Sequence, residues 1–296
     1  MRHKLQSAIE KRTSIPSVDT NALRLVDGAG DGLPGLYLDS YADRWVVASR
    51  ANTLDPEVRA WLEAQGRTCY WKRLDQHEKE DPAHIAGPLQ DEPFIAAESG
   101  VHYKIHFQAG YSQGIFLDQR LNRKRVRAFA APGKTVLNTF AYTGAFSVCA
   151  ALGGATTTTL DLSQVYLDWA KDNFQANKLN PAEHYFCKGD TFHWLKRFAR
   201  QGRTFDGIIL DPPTFSRDDK GKVFRVEKDY HRLVALAHAC LADGGWILCC
   251  TNCRKLAPRD FFRMVREGAP GANITSLAMP EEYTGEHYLK SLWVET

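Results

Sequence analysis

The feature that most limits what this chain can fold into is the stretch from Thr135 to Asp161, TVLNTFAYTGAFSVCAALGGATTTTLD. Val136 and Leu137 begin a short apolar strand. Asn138 to Gly144 make a polar turn with one glycine, and Ala145 to Leu152 are small residues suited to a closely packed helix. Gly153-Gly154 stop that helix, because glycine takes the left-handed backbone of a helix end without steric cost. Thr156 to Leu160 are mostly β-branched and read as a second strand, with Asp161 at its end. The result is a βαβ unit with an acid about 23 residues after the turn begins. In such units a ligand lies beyond the carboxyl ends of the strands, and the acid accepts hydrogen bonds from ribose hydroxyls. An adenosine-containing ligand is therefore expected.

The glycine pattern narrows the choice. Dinucleotide sites carry G-x-G-x-x-G so that a pyrophosphate can approach the backbone and the helix N-terminus. This turn holds only Gly144, and no Gly-Lys-Ser/Thr ending follows a strand. A polar turn with a single glycine suits a cofactor without phosphates, and S-adenosylmethionine fits, with its ribose, adenine and charged amino-acid tail. The competing reading is an ordinary strand-turn-helix with a capping acid.

Composition sets wide bounds. The chain has 296 residues, 44% hydrophobic and 25% charged, which suits a globular protein of one large or two modest domains. A net charge of +3 is compatible with nucleic acid without requiring it. No apolar run approaches a membrane span. The start, MRHKLQSAIEKR, lacks an apolar signal core, so a cytoplasmic protein is expected. Seven cysteines, odd in number and mostly inside apolar runs, fit reduced thiols better than disulfides. The pair Cys250-x-x-Cys253 has no second Cys or His pair nearby, so no metal site is expected.

Along the chain, residues 1–20 are basic and polar, with one short helix and a loop around Pro16. Residues 22–50 alternate as strands around Gly28-Ala29-Gly30-Asp31-Gly32. Pro56 to Gln65 reads as a helix with Asp55 as its N-cap. Residues 75–93 are charged, contain three prolines and read as loop. Residues 94–107 return to strand pattern around Gly100. Residues 1–108 are taken as a small β-rich domain, and 109–296 as the second domain. Tyr111 to Ala130 leads into it, with Asp118 expected to cap a helix carrying Arg120, Arg123, Lys124, Arg125 and Arg127. That helix is either a solvated basic face or a surface for phosphates.

After Asp161 the pattern alternates. Helices are expected over Gln164–Ala176 (with Val165, Leu167, Trp169 and Ala170 apolar), Phe192–Phe198, Lys228–Leu241 and Phe261–Glu267. Strands are expected over His184–Lys188, Phe205–Leu210, Trp246–Thr251, Ile274–Met279 and Leu289–Val294. The Lys228–Leu241 helix should stop at Asp243-Gly244-Gly245. The last two strands are joined by Pro280 to Tyr288, too short for a helical crossover, so they should pair antiparallel. A mainly parallel, Rossmann-like α/β sheet that ends in an antiparallel hairpin is the class I methyltransferase shape, and it disfavours a dehydrogenase.

Three acids then fall in register with strand ends. Asp161 would hold the ribose. Asp190, followed by Thr191 and Phe192, would accept from the adenine amino group. Asp211 opens Asp-Pro-Pro-Thr-Phe, where the prolines remove backbone donors and stiffen the turn. Singly, each acid would be read as a loop or capping residue.

The segments YSQGIFLDQRLNR, LNTFAYTGAFSVCAALGGA, LDLS, Gly189-Asp190, DPPTFS and EEYTGEHYLKSLW together resemble the ribosomal large-subunit RNA methyltransferase family. The stretch GDGLPGLYLDSY at Gly30–Tyr41 is similar to the small β-rich domain that precedes the catalytic fold in that family. The likeness covers roughly residues 20–296. It is specific in the first turn and in DPPTF, and weaker elsewhere. It implies S-adenosylmethionine as methyl donor and RNA, in particular rRNA, as substrate. By motif position, Asn138, Phe140, Tyr142, Gly144, Asp161, Ser163, Asp190, Thr191 and Asp211 would line the cofactor pocket. Phe116, Asp118, Gln119 and Arg120 would close it. Many relatives carry a further N-terminal RNA-binding domain, and this sequence is expected to start too late to contain one. RNA affinity is then expected from the basic helix, the small β-rich domain or a partner, and a homodimer is left open.

Members of the family modify cytosine C5 or, in a sister branch, guanine N7. The cytosine branch places a nucleophilic Cys in a Ser-Cys-Ser-like triplet at the end of the fifth strand. This chain reads Cys249-Cys250-Thr251-Asn252-Cys253-Arg254-Lys255, with Asn252 at the position of that Cys. The guanine branch has a Ser-Asn-Asn-Lys-Arg-like stretch, which is closer. Cytosine C5 is a poor nucleophile and needs a thiolate to add at C6 first. Guanine N7 has an exposed lone pair and needs only positioning. Asp211, Phe215 and Asn252 are accordingly the candidate catalytic residues, Phe215 stacking the base and Asn252 holding it. Two other readings compete: methylation of a small molecule or protein, and a non-catalytic RNA-binding or ribosome-assembly factor.

Overall fold

The structure, a computed structural model, describes residues 1–13, 15, 19–74, 80–110, 112–217, 221 and 223–296. Pro16, Tyr111 and part of the expected 75–93 loop lie outside the described residues. The chain forms two compact units, Met1–Arg120 with Pro280–His287, and Leu121–Met279 with Tyr288–Thr296.

The first unit begins with helix α1 (Arg2–Arg12), followed by strands β1 (Ala22–Asp27), β2 (Leu36–Tyr41) and β3 (Arg44–Ser49). Helix α2 (Pro56–Glu63) then leads to β4 (Cys69–Arg73) and β5 (Ala83–Ala86), and β6 (Phe94–Glu98) and β7 (Val101–Ile105) complete the set. The sheet order is β1-β2-β3-β4-β5, with β6-β7 a separate antiparallel ribbon. Only β3 and β4 run parallel, and α2 makes the crossover between them. Asp55 caps α2 as expected: Oδ1 accepts from Glu57 N at 2.8 Å and Val58 N at 3.3 Å. One expectation is corrected, because β5 lies inside the segment read as loop. Its prolines flank the strand and do not interrupt it. Leu5, Val26, Leu38, Val47, Trp61 and Leu62 form the core on one face of the sheet.

Residues 280–287 belong to this unit, held by side chains of its early elements. Arg12 Nη2 donates to Glu282 O at 2.6 Å, and Gly285 N donates to Asp27 Oδ2 at 2.7 Å. Gly30 packs so tightly on Thr284 that a Cβ there would lie 2.3 Å from the Thr284 backbone.

The second unit starts on helix α3 (Arg120–Phe129). It continues through β8 (Thr135–Thr139), α4 (Ala145–Leu152), β9 (Thr156–Asp161), α5 (Gln164–Ala176), β10 (Tyr185–Lys188), α6 (Thr191–Arg200) and β11 (Phe205–Leu210). Then come β12 (Phe215–Arg217), β13 (Val223–Arg225), α7 (Val226–His238), β14 (Leu241–Thr251), α8 (Pro258–Gly268), β15 (Asn273–Leu277) and β16 (Lys290–Glu295). The sheet order is β10-β9-β8-β11-β14-β16-β15. The first five strands are parallel, and β16 runs antiparallel to both β14 and β15. The expected α/β sheet with a closing antiparallel hairpin is therefore observed. Buried Leu137, Leu160, Ile208, Leu210, Ile247 and Cys249 from four strands of the sheet pack under α6, α7 and α8.

Three details differ from expectation. Helix α7 ends at His238, and β14 begins before Asp243-Gly244-Gly245, so the glycines lie in the strand's first residues. The DPPTF segment does not stay a loop: Phe215 opens the β12-β13 hairpin. Val165 is 72% exposed, whereas Leu167, Trp169 and Ala170 form the buried stripe of α5. Its position in the first turn puts it off the stripe. All seven cysteines are free thiols. No described helix is long and apolar enough to cross a membrane.

Candidate active site

Because β8, β9, β10, β11 and β14 are parallel, their carboxyl ends share one edge. The register sets them in step: Thr139 beside Leu160 and Leu210, Asp161 beside Lys188, and Leu210 beside Cys249. The chain runs outward from β8 to β9 and β10, then returns to β11 on the other side of β8. Ligands bind in open α/β sheets at such a reversal, outside the strand ends. The reversal puts the turn after β8, Phe140–Gly144, and the turn after β11, Asp211–Thr214, on either side of the crevice.

The first turn is held in an uncommon backbone. Phe140, Tyr142 and Gly144 are all left-handed, with φ of 51°, 49° and 72°. A non-glycine residue in that region costs about 1–3 kcal/mol and persists only where neighbours enforce it. The enforcing contacts come from β9 and α5. Ala141 N donates to Leu160 O at 3.1 Å, and Tyr142 N donates to Asp161 Oδ2 at 2.8 Å. Asn173 of α5 donates from Nδ2 to Thr143 O at 2.8 Å. Gly144 is required twice, since its φ is positive and a Cβ would lie 2.6 Å from that of Ala170. The Tyr142 ring meets Tyr166 edge-on at 4.6 Å.

Asp161 is the centre of this arrangement. Oδ2 accepts from Tyr142 N, and Oδ1 accepts from Ser163 N at 2.9 Å. With the Leu162 N–H also directed at it, the carboxylate keeps one further lone pair for a ligand hydroxyl. Burial pushes its pKa above the usual carboxylate value, against the pull of backbone N–H groups of Ser163, Tyr142 and Leu162. Ser163 caps α5, its Oγ accepting from Tyr166 N at 3.4 Å. Asp190 caps α6, with Oδ1 accepting from His193 N at 2.8 Å. Oδ2 of Asp190 makes no hydrogen bond to a described residue. Thr191 is buried as the first residue of α6.

Asn138 is a correction. It is 1% exposed, and Nδ2 donates to Ser147 Oγ at 3.0 Å, tying β8 to α4. The same Ser147 oxygen accepts from Thr159 Oγ1 at 2.8 Å. Asn138 is thus part of the sheet-helix seam under the turn, not of the turn's ligand-facing surface.

On the other side of the crevice, Asp211 is half-buried. Thr214 Oγ1 donates to Asn252 Oδ1 at 3.1 Å, joining the DPPT turn to the end of β14. The fully buried Tyr230 of α7 sets its hydroxyl 3.0 Å from Leu210 O and 3.1 Å from Cys250 O, fixing the ends of β11 and β14 together. Asn252 is exposed and Phe215 is 50% exposed. Both thiols point elsewhere. Cys250 is 0% exposed, with Sγ 3.6 Å from Ser291 Oγ and 3.7 Å from Asn122 Nδ2. Cys253 is 2% exposed in the core with Leu256 and Phe261.

The basic helix is corrected in part. Arg123 is 2% exposed and lies over the Phe146 ring at 6.0 Å. Arg125 covers Trp293 at 4.7 Å and Phe129 at 5.0 Å. Lys124 and Arg127 are the exposed cations of α3's later turns. The sequence could not show that Arg123 and Arg125 pack inward.

Phe116, Asp118, Gln119 and Arg120 belong to the first unit. Phe116 is 47% exposed and Gln119 is buried. Asp118 lies inside the 3-10 turn Leu117–Gln119, and α3 begins only at Arg120, so Asp118 is not the N-cap. Arg120 Nη2 donates to buried Glu282 Oε2 at 2.5 Å. Burial raises the Glu282 pKa and Arg120 pulls it back. Arg120 is therefore committed to an ion pair within its own unit. Tyr230 and Asn173 were not singled out in the sequence. A Tyr or Asn inside a helix carries no signal of its own until the sheet places it against the turns.

A switch-point crevice, a strained turn clamped by the acid of the next strand, and a closing antiparallel strand define an α/β methyltransferase. The chain belongs to the S-adenosylmethionine-dependent methyltransferase family, whose model matches residues 36–286. S-adenosylmethionine is its cofactor. The chain is 35% identical over 303 aligned residues to YwbD of Bacillus subtilis (strain 168), provisionally named a ribosomal RNA large subunit methyltransferase, covering 95% of this chain and 74% of that protein. It is 36% identical over 214 residues to ribosomal RNA large subunit methyltransferase K of Neisseria meningitidis serogroup B (strain ATCC BAA-335 / MC58), covering 72% and 57%. The crystal structure of SMU.776, provisionally a methyltransferase, in complex with SAH superposes with a TM-score of 0.89 at 31% identity, covering 100% of this chain and 80% of that one.

Proposed function

We propose that the protein methylates a base of large-subunit ribosomal RNA, at guanine N7 in preference to cytosine C5. Relatives whose names carry that RNA support the substrate class. One observation carries the choice of atom: the exposed side chain at the end of β14 is the Asn252 amide, while Cys250 and Cys253 are buried. Attack at cytosine C5 needs a thiolate at the base, and neither thiol is exposed to one. A ring nitrogen with its own lone pair needs alignment alone.

The residues present fit the cofactor. Asp161 has a free lone pair beside the turn, Asp190 has an Oδ2 with no hydrogen bond to a described residue, and Phe140, Tyr142, Gly144, Ser163 and Thr191 neighbour these two acids along one edge. The bound cofactor supplies an electrophilic methyl group on a sulfonium. Asp161 holds ribose hydroxyls and Asp190 the adenine amine. Asp211 and its two prolines keep the second turn rigid. Phe215 stacks the base. Asn252, its Oδ1 engaged by Thr214, directs its Nδ2 donors to an acceptor on the base edge, such as guanine O6. The second unit, Leu121–Met279 with Tyr288–Thr296, carries this chemistry, in the cytoplasm.

The test is nucleoside analysis of rRNA methylated by the purified protein. 7-methylguanosine supports the reading. A covalent complex with RNA containing 5-fluorocytosine, abolished by Cys250→Ser or Cys253→Ser, overturns it in favour of cytosine C5.

A further inference from the structure

The geometry of the β12-β13 hairpin points to Arg225 as a second substrate contact, one that grips a phosphodiester of the RNA strand next to the target nucleotide. The inference rests on the RNA reading above and deepens it. Strand alternation sends the cross-strand pairs of the hairpin to opposite faces. Ser216 pairs with Phe224, and Phe224 turns inward, 7% exposed, against Phe140 and Phe192 with ring centroids 6.4 and 5.5 Å away. Phe215 pairs with Arg225 on the other face, where both are exposed.

The backbone of this pair is fixed from two sides. Val226 N donates to Thr214 O at 3.2 Å, closing the base of the hairpin. Arg225 N donates to Asp229 Oδ2 at 3.0 Å, anchoring the residue on the first turn of α7. Thr214 is in turn bonded to Asn252, so Arg225 is tied through Val226 and Thr214 to the side chain that holds the base. Its guanidinium lies over the Phe215 ring at 5.6 Å and makes no ion pair or hydrogen bond to a described residue. Toward the described residues, all five guanidinium N–H donors remain open.

Charge and shape together select the acceptor. A planar guanidinium pairs in bidentate fashion with a phosphate. Arg225 lies over one face of the half-exposed Phe215 ring, which leaves at most one face for a single stacked base. An anion adjacent to one stacked base is a single-stranded nucleotide segment. A duplex would bury that base within its own stack and offer no ring to Phe215.

The experiment uses the whole chain and an unmodified large-subunit rRNA transcript, and follows methyl transfer across a salt series. Wild type is measured first: transfer to the transcript is the condition on which the RNA reading stands, and its absence overturns that reading before any variant is made. Arg225→Gln should raise KM for RNA roughly three- to tenfold, more than it lowers kcat, and reduce the salt slope by about 0.7, the value for one single-strand phosphate. Arg225→Lys keeps the charge and should keep the slope while losing part of the affinity. Binding of SAH by both variants reports that the fold is intact. Arg225→Gln with wild-type KM and salt slope overturns the assignment and leaves the RNA reading standing. A fall in kcat alone also overturns it, making Arg225 a support for the Phe215 ring.

Discussion

Replacing Asp161 by Asn separates two roles that this carboxylate combines. As a ligand it accepts from ribose hydroxyls, and as a structural group it accepts from Tyr142 N and Ser163 N. A hydrogen bond to a charged acceptor contributes about 1.5–3 kcal/mol, against about 0.5–1.5 for a neutral one. The loss for one ribose contact is about 1–1.5 kcal/mol, or roughly tenfold in affinity. Stability should respond differently. The folded pKa is raised, chiefly by burial. A raised pKa means that the neutral form favours folding below the unfolded value and that this contribution is lost as pH rises through the folded value. At neutral pH the ionised group is thus a cost to the fold, which Asn removes. Asn can accept only one of the two N–H bonds well, which costs about 1 kcal/mol. These effects oppose, so the melting temperature should move by no more than roughly 4 °C. Calorimetry with SAH and thermal melts, each across pH, are the assays. Wild-type affinity should fall as pH drops through the raised carboxyl pKa, and the variant should be flat there. Unchanged affinity at neutral pH in the Asn variant would refute the ribose role. Affinity lost only in step with unfolding would reduce Asp161 to a clamp on the turn.

Four further outcomes are expected. Gly144→Ala forces a Cβ to 2.6 Å from Ala170 at a φ of 72°, so chemical denaturation should show a loss of about 1–3 kcal/mol together with weaker SAH binding. Cys250→Ser and Cys253→Ser should keep most methyl transfer, whereas Asn252→Ala should lose a base contact of about 1–3 kcal/mol, read as kcat/KM on RNA. Removing the exposed charges of Lys124 and Arg127 should flatten the salt dependence of RNA binding with SAH affinity intact; an unchanged slope makes α3 a solvated face. Arg120→Met should strand the buried Glu282 carboxylate and cost about 3–5 kcal/mol in a denaturant melt, since breaking a buried pair leaves an uncompensated charge.

Regular periodicity made much of the second unit legible. The Gln164–Ala176 helix, the Phe205–Leu210 strand and the antiparallel ending all followed from local pattern and connection length. Local pattern failed where tertiary packing decides. β5 is four residues long among charges and prolines, too short for alternation to register. The β12-β13 hairpin has three residues a side and gains its place from Phe224 packing inward. Arg123 reads as surface by residue type, yet it is buried beside Phe146 because helix α3 turns that side to the core. The acids of the candidate site were legible because they sit at strand ends. Asn138 was misplaced because a polar residue at a strand end gives no sign of which face it takes. Tyr230 and Asn173, which fix the two turns, become visible only once the sheet order is known.

The most direct test is the identity of the methylated nucleoside in large-subunit rRNA. The protein is supplied with S-adenosylmethionine and rRNA from cells that lack it, and the digested RNA is analysed by mass spectrometry. One new 7-methylguanosine, formed at a rate insensitive to Cys250→Ser and Cys253→Ser, is the predicted result. A new 5-methylcytidine whose formation ends with either substitution would contradict the account.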